Sequence, residues 1–238
     1  MTVIDIENLV IRYGPVTAVQ DLTLKVEPGE VVGLLGGNGA GKSSTLRAIS
    51  GVNPHTAGKL LVHGYDLADA DEAEKARKAI GYCPDVGGLI RQATVREHVA
   101  LAFAFRGQTH LWPQAIEMIE KFNLTEVTDR VTRGFSHGMS RRLSVMLAAL
   151  TAENALVLDE PFDGVDPLGV DATLNTINDA KNGGLGVLIS THLLDLVVES
   201  CDRVAVLAGG RVVETDDAAA FSGEAGKKRY ADLLRDAL

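Results

Sequence analysis

The stretch from Val31 to Ser50 constrains this chain more than any other. Val31 to Leu35 is a short apolar run with strand character, and it leads directly into Gly36-Gly37-Asn38-Gly39-Ala40-Gly41-Lys42-Ser43. A helix is expected from about Lys42 to Ser50. Glycines let such a loop curl so that consecutive N–H groups point inward, and the helix N-terminus adds the positive end of its dipole. The concavity suits phosphate. The pattern G-x-x-x-x-G-K-[ST] arises by chance about once per hundred chains of this size at average residue frequencies, and more rarely between a strand and a helix. Lys42 is then expected to reach the β- and γ-phosphates of a nucleotide, and the Ser43 hydroxyl to ligate Mg²⁺, with Ser44 beside it on the first helical turn.

A second apolar strand, Ala155 to Leu158, ends in Asp159-Glu160-Pro161. In α/β folds ligands bind at the carboxyl ends of the strands, so two acids at that edge are placed for chemistry. Asp159 is expected to hold Mg²⁺ through water, and Glu160 to polarise an attacking water as general base. Alone, the two acids read equally well as a solvated loop; with the glycine loop upstream the functional reading prevails.

The chain alternates as strands over its first thirty residues and again at Lys59–Val62 and Ala79–Cys83. From about Val86 to Leu150 the period becomes helical, with segments at Val95–Phe105, Pro113–Phe122 and Ser140–Leu150. Strands return at Ala155–Leu158 and Val187–Ser190, followed by a hairpin of Arg203–Leu207 and Arg211–Glu214 around Gly209-Gly210. Lys227–Leu238 is expected to form a short amphipathic helix. The fold class is therefore α/β, a parallel-sheet core with an N-terminal antiparallel β subdomain and an inserted α-helical subdomain. As one domain over 1–238, it divides into a β subdomain plus core (1–85 and 151–238) and a helical subdomain (86–150).

Composition narrows the partners. A net charge of −9 argues against a duplex-binding surface, and an aromatic content of 5% does not suggest a base-stacking one. No secretory leader and no apolar window near 18 residues is visible, so a cytoplasmic chain is expected, any membrane role coming through a partner. Cys83 and Cys201 lie in apolar surroundings at no metal-ligand spacing and read as buried free thiols.

Together these motifs resemble the ATP-binding-cassette (ABC) ATPases, a branch of the P-loop NTPases. Phe135-Ser136-His137-Gly138-Met139 looks like the family's signature motif about twenty residues ahead of the acid pair, Gly164-Val165-Asp166-Pro167 is similar to its D-loop, and Ser190-Thr191-His192 to its switch histidine segment. Tyr13 stands where the family stacks an aromatic ring on adenine. The resemblance covers nearly the whole chain and implies an ATPase that uses ATP and Mg²⁺. The implied catalytic residues are Lys42, Glu160 and His192, and the implied metal ligands Ser43 and Asp159. Nucleotide contacts are implied for Tyr13, the loop residues Gly36, Gly37, Asn38, Gly39, Ala40, Gly41, Lys42 and Ser43, for Ser44 and Asp85, and for Ser136 and Gly138 toward a neighbouring subunit.

Three positions depart from the family pattern. Gly37 replaces a common proline, which a flexible residue can mimic. His137 replaces the first signature glycine, and Asp85 stands where a glutamine is usual, so slower hydrolysis is an open expectation. The resemblance implies two cassettes, identical or not, closing head-to-tail on ATP. It also implies a separate transmembrane permease docked on the helical region near Asp85, which would hold the chain at the inner face of the membrane. Details such as Thr94-Val95-Arg96-Glu97-His98 look like bacterial export-type cassettes. Two other readings remain open at this point: a soluble cassette ATPase of DNA repair or translation, and a binding module whose departures have abolished turnover.

Overall fold

A computed structural model describes residues 1–236. Two β-strands open the chain, β1 (Ile4–Tyr13) and β2 (Val16–Val26), and β3 (Val31–Leu35) leads through the glycine loop to helix α1 (Lys42–Ile49). Next come β4 (Ala57–Val62), β5 (Tyr65–Asp66), α2 (Ala73–Ala79) and β6 (Ile80–Cys83). Three helices follow, α3 (Val95–Arg106), α4 (Trp112–Lys121) and α5 (His137–Thr151). The remainder alternates: β7 (Ala155–Asp159), α6 (Pro167–Asn182), β8 (Gly186–Thr191), α7 (Leu194–Ser200), β9 (Arg203–Ala208), β10 (Arg211–Asp217) and α8 (Gly223–Asp236). The last two residues of the expected C-terminal helix, up to Leu238, lie outside the described residues.

The strands form two sheets. One has the order β2-β1-β4-β5 and is antiparallel; the other has the order β10-β9-β3-β8-β7-β6 and is parallel except for β10 at its edge. β3, β7 and β8 are buried at every residue, as parallel strands covered on both faces require, whereas β10 alternates between exposed and half-buried positions. One hydrophobic core lies between the two sheets around α1, and a second packs α3 to α6 on the opposite face of the parallel sheet. Each fully buried Leu or Ile, such as Leu34, Leu46, Leu156 and Leu188, contributes about 1.5–3 kcal/mol of burial free energy.

The register of the parallel sheet sets up everything that follows. Leu35 pairs with Thr191, and Asp159 pairs with Ser190. The end of β3, the Ser190–Thr191 end of β8 and the acid end of β7 therefore lie side by side at one edge.

Several boundaries differ from those expected of the sequence. α5 begins at His137, ahead of its periodic apolar stretch Ser140–Leu150, with Ser136 as the N-cap: its hydroxyl accepts the Met139 N–H (3.2 Å) over a polar first turn. β6 begins at Ile80, since Ala79 ends α2, a short helix whose alanines give a weak periodic signal. The helices α6 and α7 fill the crossovers between β7, β8 and β9, the right place for them in a parallel sheet.

Candidate functional site

A cleft of about 590 Å³ opens at the edge where β3, β7 and β8 end, within the size range of small-ligand sites. It is lined by Tyr13, Gly37–Ser44, Asp85, Glu160 and His192, all expected from the sequence, and by Ala18 and Asp163, which were not. Ala18 carries no local signal of any kind. Asp163 follows the acid pair closely enough that a third acid could have been suspected.

The loop owes its shape to backbone conformations that side chains resist. Gly41, just before α1, has φ 106°, and a Cβ there would lie 2.6 Å from the Ala18 carbonyl oxygen. Lys42 is nearly buried and turns back across the loop, its Nζ donating to the carbonyl oxygens of Gly36 (2.7 Å) and Gly37 (3.3 Å). Its ammonium also lies 3.3 Å from Glu160 Oε1. Glu160 Oε2 in turn lies 3.0 Å from His192 Nδ1, so one carboxylate stands between the loop lysine and the histidine at the end of β8.

Glu160 holds φ 48°, a left-handed conformation that costs a non-glycine residue about 1–2 kcal/mol. The strain is held in place by Ser190, whose carbonyl (3.0 Å) and hydroxyl (3.1 Å) both accept the Glu160 N–H. No local pattern of residue types announces this turn. Its effect is to lift the carboxylate out of the strand line and into the cleft.

Asp159 lies one residue deeper and is fully buried. Its Oδ1 accepts from the hydroxyls of Ser43 (3.1 Å) and Ser190, while Oδ2 has no hydrogen-bond partner. Burial pushes its carboxyl up from the ordinary value, and the Ser190 and Ser43 hydroxyls oppose that shift. A buried carboxylate oxygen without a donor, beside a serine on the phosphate loop, fits a divalent cation better than it fits a purely structural acid.

The remaining expected residues fall into two groups. Tyr13, half-exposed at the cleft rim, accepts a hydrogen bond on its hydroxyl from Asn53 Nδ2 (3.1 Å). Gly36 shapes the loop through its carbonyl and is not among the cleft-lining residues. Ser136 and Gly138 lie outside the cleft at the start of α5. There Gly138 packs against the Gly164 carbonyl, where a Cβ would come within 2.7 Å, and His137 Nε2 lies 3.2 Å from Asp163 Oδ2. Asp85 reaches the cleft wall, but its Oδ1 accepts from Arg141 Nη2 at 3.2 Å. Asp166 caps α6 by accepting the Gly169 N–H at 2.8 Å.

Residues 19–163, from the second strand through the acid pair, match the family model described as ABC transporter. The chain belongs to the ABC transporter family. It is 34% identical over 220 residues to the lipopolysaccharide export system ATP-binding protein LptB of Haemophilus influenzae, covering 90% of each chain. A solved ATP-binding subunit of an ABC transporter superposes with a TM-score of 0.89 at 30% identity, over 97% of this chain and 99% of that one. A bacterial ABC transporter cassette solved as a dimer shares the fold, with a TM-score of 0.83 at 21% identity over 90% of this chain and 98% of that one. This ABC chain is thus an ATP-binding subunit and an ATPase, and its fold is that of the P-loop cassette. Among the described residues, no helix is long and apolar enough to cross a membrane.

Proposed function

We propose that this ABC subunit hydrolyses ATP in a site shared by two cassettes and passes the resulting motion to a separate transmembrane permease. The observation that carries the catalytic part is the placement of the Glu160 carboxylate between Lys42 and His192, with Asp159 behind it. The N–H groups of Gly37 to Ser43 and the start of α1 cradle the phosphates, while Tyr13 stacks on the base. Lys42 exchanges its contact with Glu160 for the β- and γ-phosphates. Ser43 and Asp159 would hold Mg²⁺, which neutralises charge on the phosphate oxygens. Glu160, freed from Lys42 and still oriented by its strained backbone, accepts a hydrogen bond from the attacking water and polarises it. His192 keeps the Glu160 carboxylate aimed and extends toward the terminal phosphate.

Ser136 and Gly138 are the residues offered to the nucleotide of a second cassette. Their position outside the cleft of their own chain, at an exposed helix N-terminus, supports that assignment. ATP would then bridge the two cassettes, and its hydrolysis would let them part.

The permease would dock on the helical layer, residues 86–150. Large apolar side chains there stand in solvent, among them Val86 (76% exposed), Phe105 (79%) and Ile116 (63%). The kinship to a lipopolysaccharide export protein supports an exporter of a lipid, glycan or drug, with the subunit held peripherally on the inner face of the membrane. Affinity purification of the tagged subunit from detergent-solubilised membranes tests this reading. A multispan membrane protein should co-purify in stoichiometric amount, and a Phe105→Asp, Ile116→Asp double variant should lose it while keeping ATP binding. Recovery of nucleic acid or ribosomes with no membrane partner would contradict the proposal.

A further inference from the structure

Arg141 lies on the second turn of α5, and its side chain is only 3% exposed. Its guanidinium gathers the ends of two strands. Nη1 donates to the Pro84 carbonyl at 2.7 Å and to the Asp159 carbonyl at 3.1 Å; Nη2 donates to the Asp85 carbonyl and to Asp85 Oδ1 at 3.2 Å. The neighbouring Arg142 makes a different kind of contact, donating to the Phe122 carbonyl at 3.2 Å within the helical layer. Of the two, Arg141 is the one that crosses from α5 to the nucleotide edge of the sheet. A planar fork of donors suits that task, because a single group can satisfy several carbonyls and a carboxylate at fixed angles.

Charge gives this contact a consequence. Four carboxylates, Asp85, Asp159, Glu160 and Asp163, stand in or beside a cleft that must accept a polyanion, and Asp163 lies 3.2 Å from His137 Nε2. Glu160 is met by Lys42, and Asp159 by two serine hydroxyls. Asp85 is met by Arg141 alone, since no other side chain forms an ion pair or hydrogen bond with its carboxylate among the described residues.

We propose that Arg141 is a positioning residue for ATP binding and hydrolysis: it holds the Asp85 carboxylate turned toward α5 and away from the bound phosphates. The pair Asp85–Arg141 replaces a neutral side chain at the cleft wall with an acid whose charge is conditional on one helix. Without the guanidinium, an unpaired carboxylate faces the phosphates. The inference rests on the reading of the cleft as the ATP site.

The test is a double-mutant cycle on the full chain, using a fluorescent ATP analogue in EDTA for binding and phosphate release for turnover. Arg141→Gln should weaken analogue binding about tenfold, the factor that corresponds to roughly 1.4 kcal/mol of repulsion, and lower kcat as well. Adding Asp85→Asn should return binding to within about twofold of the parent, because the repelling charge is gone. A residue that only supported the fold would show no such rescue. If Arg141→Gln does not fold, Arg141→Lys serves in the same cycle, since an ammonium cannot reach both strand ends at once and should give a smaller loss with the same rescue. Binding unchanged in the arginine variant, or a loss that Asp85→Asn does not relieve, overturns the proposal. The underlying reading fails separately: if Lys42→Ala leaves analogue binding intact, the cleft is not the ATP site.

Discussion

Replacing Gly36 by alanine should separate the geometry of the phosphate loop from its sequence pattern. A Cβ at Gly36 would lie 2.3 Å from the Leu207 carbonyl oxygen and 3.2 Å from Ala40 Cβ. An ordinary carbon–oxygen contact is about 3.3 Å, so the loop and the end of β9 must part by about 1 Å. Both sides of that contact are backbone, which leaves no flexible side chain to give way. Overpacking of this kind costs about 1–3 kcal/mol, and near 2 kcal/mol it lowers Tm by about 4–8 °C in a protein of this size. The loop N–H groups move with it. Two misdirected bonds to phosphate, each worth about 1.5–3 kcal/mol when the acceptor is charged, weaken ATP binding by about a hundredfold or more. Gly37→Ala is the matched control, because a Cβ there meets nothing within 4 Å. Nucleotide titration calorimetry and thermal melting of both variants decide the matter. Gly36→Ala binding ATP within about threefold of the parent, or Gly37→Ala losing as much as its neighbour, would refute the reasoning.

Two further predictions concern stability and the thiols. Asp166→Ala removes the α6 cap and should cost about 1 kcal/mol, a fall in Tm of about 2–4 °C, with Asp166→Asn retaining most of it; equal melting of all three proteins would count against the cap. Burial pushes the Cys83 thiol up to about 11 and the Cys201 thiol up to about 12, so both stay protonated at pH 8. Cys83 is buried as expected, but Cys201 is only partly buried, so a thiol reagent at pH 8 should react with Cys83 only as the protein unfolds, and rapid modification of Cys83 in the native protein would contradict this. The same shifts give a sign to alkaline stability. The folded thiols keep protons that the unfolded chain releases above about 8.5, so their contribution is complete below that pH and is lost as pH rises toward 11 and beyond.

What the sequence reveals here is what local spacing can encode. The loop Gly36–Ser43 and the acids after Ala155–Leu158 are legible because each is a short pattern whose residue types are demanded by one geometry. Their juxtaposition follows from strand order, which the alternating pattern suggests and the register fixes by setting Asp159 against Ser190. Arg141 is not legible. A charged residue among others on a helix reads as solvated surface, and only the packing of α5 on β6 turns it into a buried group holding two strand ends. Asp85 lines the cleft, and its reach toward Arg141 depends on a residue far away in the chain. The left-handed turn at Glu160 is likewise invisible, because glutamate has no preference for it and Ser190, from the next strand, supplies what holds it.

The central claim is that Glu160 serves the chemical step rather than nucleotide binding. Steady-state phosphate release by Glu160→Gln measures this most directly, with ATP affinity determined on the same preparation. The account predicts parental affinity or better, a fall in kcat of about 10²–10⁴, and an ATP-dependent dimer that accumulates because it no longer turns over. Turnover at the parental rate in that variant would contradict it.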